Sequence, residues 1–180
     1  IGLTGLFLLS LWGFVTSVFH IPLFIFPDPF SVFKALCSQI GLLLEHAQIT
    51  CLEIVLGYST GTGLGILTGL LMAQFKIFRD VVRPLLLILQ AIPVFVIAPL
   101  FILWCGYGML SKILMITFLL YFTIASNLYD GLMRTPAQFL DMAKMMKLPS
   151  FRTLLYIRFP MALPQLATGL RLGAAFAPLA

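Results

Sequence analysis

Residues 54–75, IVLGYSTGTGLGILTGLLMAQF, run for 22 positions without a charge. A bilayer core is crossed by a helix of about 20 predominantly apolar residues, so this stretch spans one easily. Inside it Gly57, Gly61, Gly65 and Gly69 recur at every fourth position, a spacing that brings them close to one face of a helix. Glycine weakens a helix in water by roughly 1 kcal/mol relative to alanine, so four in register call for a reason. A groove of small residues lets a second membrane helix approach closely; a hinge or a pore-lining face is the other use. The fold class that follows is all-α, a polytopic transmembrane helix bundle.

Composition agrees with that reading. The chain has 180 residues, 61% of them hydrophobic and 9% charged, with a mean hydropathy of +1.10. A soluble domain carries roughly 25% charged residues. The net charge of +5 would point to nucleic acid in a soluble chain, but no aromatic–basic interleaving accompanies it. In a membrane protein basic residues mark cytoplasmic loops instead. Cys37, Cys51 and Cys105 are too scattered for a disulfide framework or a metal site; a Cys37–Cys51 bridge and ordinary buried thiols both stay open. His46, in the patch Glu45–Gln48, has no second ligand at metal spacing.

The remaining runs fall in order. Ile1–Val18 reads as a first span rather than a cleaved leader, since no basic segment precedes it. After His20, the prolines of Phe26-Pro27-Asp28-Pro29 make an extended turn, and Ser31 caps an amphipathic interfacial helix over Val32–Leu44. Glu53 suits the interfacial start of the glycine helix. Lys76, Arg79, Asp80 and Arg83 form a charged loop, and Pro84 opens a third span near Leu85–Trp104. Within that span Gln90-Ala-Ile-Pro93 joins a polar side chain to a kink, either an element of a substrate pathway or a hydrogen-bonded packing kink. Ser111 caps a fourth span, Ile113–Tyr129, which carries Thr123, Ser126 and Asn127 and ends at Asp130-Gly131. A fifth apolar run follows Pro160 and Pro164, holds Gly169, Arg171 and Gly173, and is still running at Ala180. The chain thus reads as one transmembrane domain over 1–180, with about five spans and a truncated C-terminus.

Between the last two runs lies the one long polar segment, TPAQFLDMAKMMKLPSFRTLLYIRFPMALP, residues 135–164. Thr135 as N-cap, Pro136 at the first helical position and Gln138 three residues after the cap open a helix. Phe139, Met142, Ala143 and Met146 line one of its faces, with Gln138, Asp141 and Lys144 opposite. Leu148-Pro149 stops it, and Ser150 caps a second short helix with Phe151, Leu154 and Leu155 on its apolar side. Eight basic residues lie in 75–84 and 130–160, against Lys34 and Lys112 in 19–50 and 105–112. The positive-inside rule therefore places the 135–160 hairpin in the cytoplasm and residues 19–50 outside.

Several chemistries are absent. No G-x-x-x-x-G-K-[ST] loop, HExxH, GxSxG or paired intramembrane carboxylates occur, and Arg171 is the lone charge inside a span. An ion-driven carrier needs such groups, so the energy source lies outside this chain, which is not an enzyme and binds no cofactor of its own. A secondary carrier or channel, or a membrane scaffold without a translocation path, are the competing readings.

The register of Asp141-Met142-Ala143, Lys147 and Phe159-Pro160 resembles the motif E-A-A-x3-G-x9-I-x-L-P of the inner-membrane permease subunits of ATP-binding-cassette importers. Asp stands for Glu, Met for the first Ala, Lys147 for the Gly and Phe159 for Leu. Phe26-Pro27-Asp28-Pro29, Gln90-Ala-Ile-Pro93, Ala98-Pro99-Leu100 and Trp104-Cys-Gly106-Tyr-Gly108 are similar to the branch serving nitrate, sulfonate, taurine and thiamine-pyrimidine precursors. The resemblance implies a type I importer permease in the bacterial inner membrane. Its partners would be a separate cytoplasmic ATPase that consumes ATP, a periplasmic or lipid-anchored substrate-binding protein and a second permease copy. The implied coupling set is Asp141, Ala143, Lys144, Lys147, Leu148, Phe159 and Pro160. The turn is expected from Leu148-Pro149, with Lys147 as a helix C-terminal cation. Gln90, Pro93, Asn127 and Arg171 are the candidate pathway residues; Arg171 either neutralises an anion or pairs with a carbonyl.

Overall fold

The structure is a computed structural model that describes residues 2–19, 22 and 24–179; His20 and the end residues Ile1 and Ala180 lie outside them. Every regular element among the described residues is helical. The chain divides into two compact units, residues 1–50 and 51–180.

In the first unit α1 (Gly2–Val18) carries no charged residue. Its Trp12 indole donates to the Pro27 carbonyl at 3.1 Å and packs against Phe26, which secures the proline turn. The next helix, α2 (Pro29–Ser38), starts earlier than the sequence reading has it. Asp28, not Ser31, is the cap: its carboxylate accepts from the amides of Phe30 and Ser31 at 3.1 and 3.0 Å. Pro29 at the first helical position needs no donor partner. Hydrogen bonds from the Ser31 side chain and then its backbone hold the Asp28 carboxyl below its ordinary range. The helix also ends earlier, because Gln39 leaves helical geometry. From Ile40 a single helix, α3, runs 35 residues to Gln74. The interfacial helix over Val32–Leu44 is thus two pieces, and His46 and Glu53 lie inside α3 rather than near a start.

The second unit is built around α6 (Met109–Met133), whose Ile116, Leu119, Leu120, Phe122, Ile124, Ala125, Leu128 and Leu132 are buried. α3 lies along it in the same direction, and the glycine stripe is the contact. A Cβ added at Gly57 would fall 2.6 Å from the Ile116 Cβ; at Gly61, 2.8 Å from the Thr117 carbonyl oxygen; at Gly65, 2.9 Å from the Ile124 Cβ. Ile116, Leu120, Ile124 and Leu128 are themselves spaced by four, so a ridge of branched side chains seats in a groove of glycines. The stripe is thus a close-contact face between α3 and α6. Thr60 and Thr117 hydroxyls close the seam at 2.6 Å.

Glu53 corrects the expectation most sharply. It is buried at 3% exposure and its carboxylate meets Lys112 Nζ at 3.1 Å. The surface carboxylate of a helix start becomes an ion pair between α3 and the first turn of α6. Lys112 remains half exposed, so Lys112→Met leaves Glu53 buried without a counter-charge. We expect it to destabilise the unit by about 1–3 kcal/mol, and Glu53→Gln, which removes the charge instead, by less. Thermal unfolding of the two variants in the same detergent checks this; equal losses would show that the pair acts only through shape.

Residues 76–83 are not a loop. Phe75 alone breaks the chain, and α4 runs Lys76–Ala91 with Pro84 in its interior. The charges are compatible with a helix because they find partners: Arg79 meets Asp80 at 2.9 Å, and Arg83 reaches Asp130 at 3.9 Å while lying over the Tyr129 ring. Pro93, as N-cap of α5 (Val94–Cys105), is where the expected third span breaks; the two helices meet at 106°. Gly108, not Ser111, precedes α6, and the buried Ser111 hydroxyl donates back to the Gly108 carbonyl. α6 runs past Asp130-Gly131 to Met133.

By length and composition α3 and α6 each suffice to cross a membrane, and the bent pair α4–α5 makes a third crossing if the two helices form one broken span rather than a re-entrant loop. α1, at 17 residues, is a shorter apolar helix. The sequence count of about five is therefore approximate, while the all-α bundle stands.

Candidate functional site

The polar segment forms a helical hairpin closed by unusual turn chemistry. Thr135 does not cap forward; its hydroxyl donates to the Leu132 carbonyl at the end of α6. Pro136 takes the cap position instead, and α7 runs Ala137–Met145. Its end is a Schellman turn: the Leu148 amide bonds the Ala143 carbonyl and the Lys147 amide the Lys144 carbonyl, at 3.0 and 2.9 Å. This turn needs a left-handed residue, ordinarily glycine, at the second position past the helix. Lys147 supplies it with φ of 50°, the one positive-φ non-glycine residue among those described. The turn is therefore made by Lys147 itself and not by Leu148-Pro149. A Cβ in that conformation costs roughly 1–2 kcal/mol, so Lys147→Gly should steady the turn by about 1 kcal/mol. Hydrogen exchange at the Leu148 amide should slow about fivefold; faster exchange would show that the lysine stem stabilises the turn.

Past Pro149 the chain is helical without interruption. α8 (Ser150–Thr153) passes into a π-helical stretch, Leu154–Arg158, and then into α9 (Phe159–Phe176). The Phe159 amide bonds the carbonyl of Leu154, five residues back. Widening just before Pro160 gives room to a ring that would otherwise press on the carbonyl four back. Ser150 is the first residue of α8 rather than its cap, and the second short helix and the fifth run are one element. α9 returns antiparallel to α6: Gly131 faces Ala162 and Gln165, and Gly169 faces Asn127.

The coupling set divides by burial. Asp141 and Lys144 pair at 2.8 Å on the outside of α7, both exposed. Ala143 is buried, Leu148 half-buried, and Lys147 exposed. Phe159 packs against the core and Pro160 is exposed on the first turn of α9. The apolar face read for α7 is not a buried face. Of Phe139, Met142, Ala143 and Met146, Ala143 alone is covered, and with Met145 and Phe151 the rest present a soft apolar surface. Methionine suits a surface that must conform to another. Behind α7 a cavity of about 460 Å3 is bounded by Ala73 and Gln74 at the end of α3, by Ala143, Lys144 and Leu148, and by Arg158.

The pathway candidates are not gathered into one chamber. Gln90 donates to the Ser126 hydroxyl at 2.9 Å beside a small cavity that it shares with Arg83, Tyr129 and Asp130. Asn127 donates to the Thr123 carbonyl and lines a different cavity of about 280 Å3 with Asp130, Arg134, Gln165 and Thr168. Pro93 marks the helix break, and Arg171 is exposed on α9. Asp130, which the sequence reading makes only a helix end, borders both cavities. The signal for it is the spacing of Thr123, Ser126, Asn127, Asp130 and Arg134 down one side of α6. Among the described residues no group of His, Cys, Asp and Glu is placed to hold a metal, and the three cysteines are free.

Residues 61–180, which include α6, the hairpin and α9, match the family described as the inner membrane component of binding-protein-dependent transport systems. This chain belongs to that family. A probable ABC transporter permease protein of Haemophilus influenzae is 44% identical over 172 residues, covering 96% of this chain and 70% of that protein. The formylaminopyrimidine transport permease protein of Halalkalibacterium halodurans is 34% identical, covering 96% and 69%. A putative aliphatic sulfonates transport permease protein of Bacillus subtilis is 28% identical, covering 94% and 62%. The chain thus spans about two thirds of the length of these relatives. Membership makes it a multi-pass inner-membrane permease subunit of the importer type, a transport protein and not an enzyme.

Proposed function

We propose that this permease forms the translocation path for a small nutrient and takes its driving force from a separate ATP-binding subunit docked on the α7 hairpin. The observation that carries the reading is the hairpin surface. It is an exposed face of Phe139, Met142, Met145 and Met146 beside Asp141 and Lys147, on a turn held by backbone hydrogen bonds and continuous with α9. A force applied there travels through a rigid helix into the core around α6. Gln74 and Arg158 border the same cavity and Arg83 reaches Asp130, so the two basic segments share one end of the unit. That placement supports a cytoplasmic hairpin. The opposite end, with Glu53 and Lys112, then faces the substrate-binding protein, and a second permease copy completes the path within the lipid.

The substrate reading is a thiamine pyrimidine precursor or a sulfonate- or nitrate-like compound, in keeping with the formylaminopyrimidine and sulfonate permeases among its relatives. The test is uptake into proteoliposomes that hold the full-length permease, its ATP-binding subunit and its substrate-binding protein. Labelled pyrimidine and sulfonate are offered with and without ATP. ATP-dependent accumulation of either supports the proposal. Accumulation without ATP would replace it with a secondary carrier or channel.

A further inference from the structure

The cavity behind α7 has a lopsided lining. Its polar side chains are Lys144, Arg158, Gln74, Ser150 and Thr153, with no carboxylate among them. Arg158 Nε is sealed from water and lacks a hydrogen-bond partner, and no ion pair reaches its guanidinium among the described residues. Arginine keeps its charge at any physiological pH, and buried donors in folded proteins are almost always met by protein, water or ligand. Lys144 borders the cavity, but its ammonium is held at 2.8 Å by Asp141 on the exposed side of α7, so Arg158 is the unpaired cation of the lining. The Thr153 hydroxyl is engaged with the Pro149 carbonyl; the Ser150 hydroxyl is uncommitted among the described residues.

The geometry points to a binding site for a phosphate-type oxyanion. A tetrahedral anion offers several acceptor oxygens at once, which suits a guanidinium and a hydroxyl on one cavity lining. Two sources carry that chemistry, the headgroup of an anionic phospholipid and free inorganic phosphate. The position favours the headgroup: Ala73 and Gln74 are where the apolar run of α3 ends, and basic pockets at the ends of membrane helices take anionic headgroups. About 460 Å3 also exceeds what one phosphate fills. Ala143 on α7 and Arg158 on the stretch leading into α9 border the same cavity, so a bound anion fills the space between the two arms of the hairpin. Its effect on coupling rests on the function proposed above; the site itself does not.

The experiment uses the full-length permease in complex with its ATP-binding and substrate-binding partners. Nanodiscs of phosphatidylcholine, with or without phosphatidylglycerol, are examined by native mass spectrometry for retained phosphatidylglycerol. Inorganic phosphate added to the phosphatidylcholine discs is followed by phosphorus NMR line broadening. The wild type is expected to bind at least one probe. Arg158→Gln and Ser150→Glu, which remove or oppose the charge by different routes, should bind it about tenfold more weakly, the loss of one charge-assisted contact. Arg158→Lys should retain most of the binding. Retention of phosphatidylglycerol alone assigns the headgroup, and phosphate binding in neutral discs assigns the free anion. Equal signals from wild type and both charge variants overturn the site. So does binding that emerges only when the ATP-binding subunit is stripped away, which would give the cavity to a protein carboxylate. ATP-driven uptake in phosphatidylcholine proteoliposomes is read separately: uptake intact with no anion bound refutes this site and leaves the permease function standing.

Discussion

Gly61→Leu is expected to separate α3 from α6 and to lower the thermal unfolding temperature of the permease by roughly 6–12 °C. A Cβ at this position would lie 2.8 Å from the backbone oxygen of Thr117 and 2.9 Å from the Leu120 Cβ. Neither neighbour is the far end of a flexible side chain, so no rotamer change relieves the clash. Overpacking of a tight contact costs typically about 1–3 kcal/mol, and a backbone clash belongs at the upper end. For a chain of this size each kcal/mol corresponds to about 2–4 °C. Gly63→Leu is the matched control. It adds the same side chain two residues away on the same helix, where a new Cβ meets nothing within 4 Å. Removing a helical glycine there should leave stability unchanged or raise it by up to about 1 kcal/mol. Fluorescence-detected unfolding in one detergent compares the two; equal losses would mean that Gly61 matters for helix propensity and not for the seam.

The contrast shows what is legible in this sequence. Gly57, Gly61, Gly65 and Gly69 announce a contact face because small residues at fixed spacing stand out in an apolar helix. Their partners do not. Ile116, Leu120, Ile124 and Leu128 lie in a helix whose first half is nearly all apolar and whose polar side begins only near Thr123, so periodicity marks little of the seam. Burial of Glu53 is hidden for another reason: its counter-charge, Lys112, comes 59 residues later, and only the parallel pairing of α3 with α6 brings them together. Lys76, Arg79, Asp80 and Arg83 read as a loop because a cluster of charges beside a proline usually is one. The structure makes them helical, with Arg79 paired to Asp80 and Arg83 placed between Asp130 and the Tyr129 ring. The break at Pro93 is readable, while the angle is not, since it depends on what α5 packs against.

The hairpin is legible in kind and obscure in detail. Register alone locates Asp141, Ala143 and Phe159-Pro160. Leu148-Pro149 carries the obvious stop signal, yet the turn is closed by two backbone bonds around Lys147. A glycine in that position would reveal the left-handed conformation; a lysine conceals it. The orphaned Arg158 carries no sequence signal at all, because an unpartnered donor is a property of a cavity and not of a residue type.

Asp141→Lys should reduce coupled uptake by at least about tenfold, while the ATP-binding subunit continues to hydrolyse ATP and the permease inserts and folds normally. Asp141 is exposed and its pair with Lys144 is a surface contact, worth no more than about 0.5 kcal/mol to the helix, so the fold does not depend on it. Reversal nevertheless sets a second positive charge beside Lys144, with Lys147 and Arg152 following and no acid left on the hairpin. A cation on the docked subunit would then be repelled rather than received. The double variant Asp141→Lys with Lys144→Asp decides between two causes. It restores an opposite-charge pair within α7, at a small cost from placing the acid nearer the helix C-terminus. If the pair serves only to hold α7, uptake returns. If Asp141 meets a cation on the ATP-binding subunit, uptake stays lost while the hairpin is as stable as before. Uptake and ATP hydrolysis measured in the same proteoliposomes separate these outcomes, and normal coupled uptake by the single variant would remove Asp141 from the coupling surface altogether.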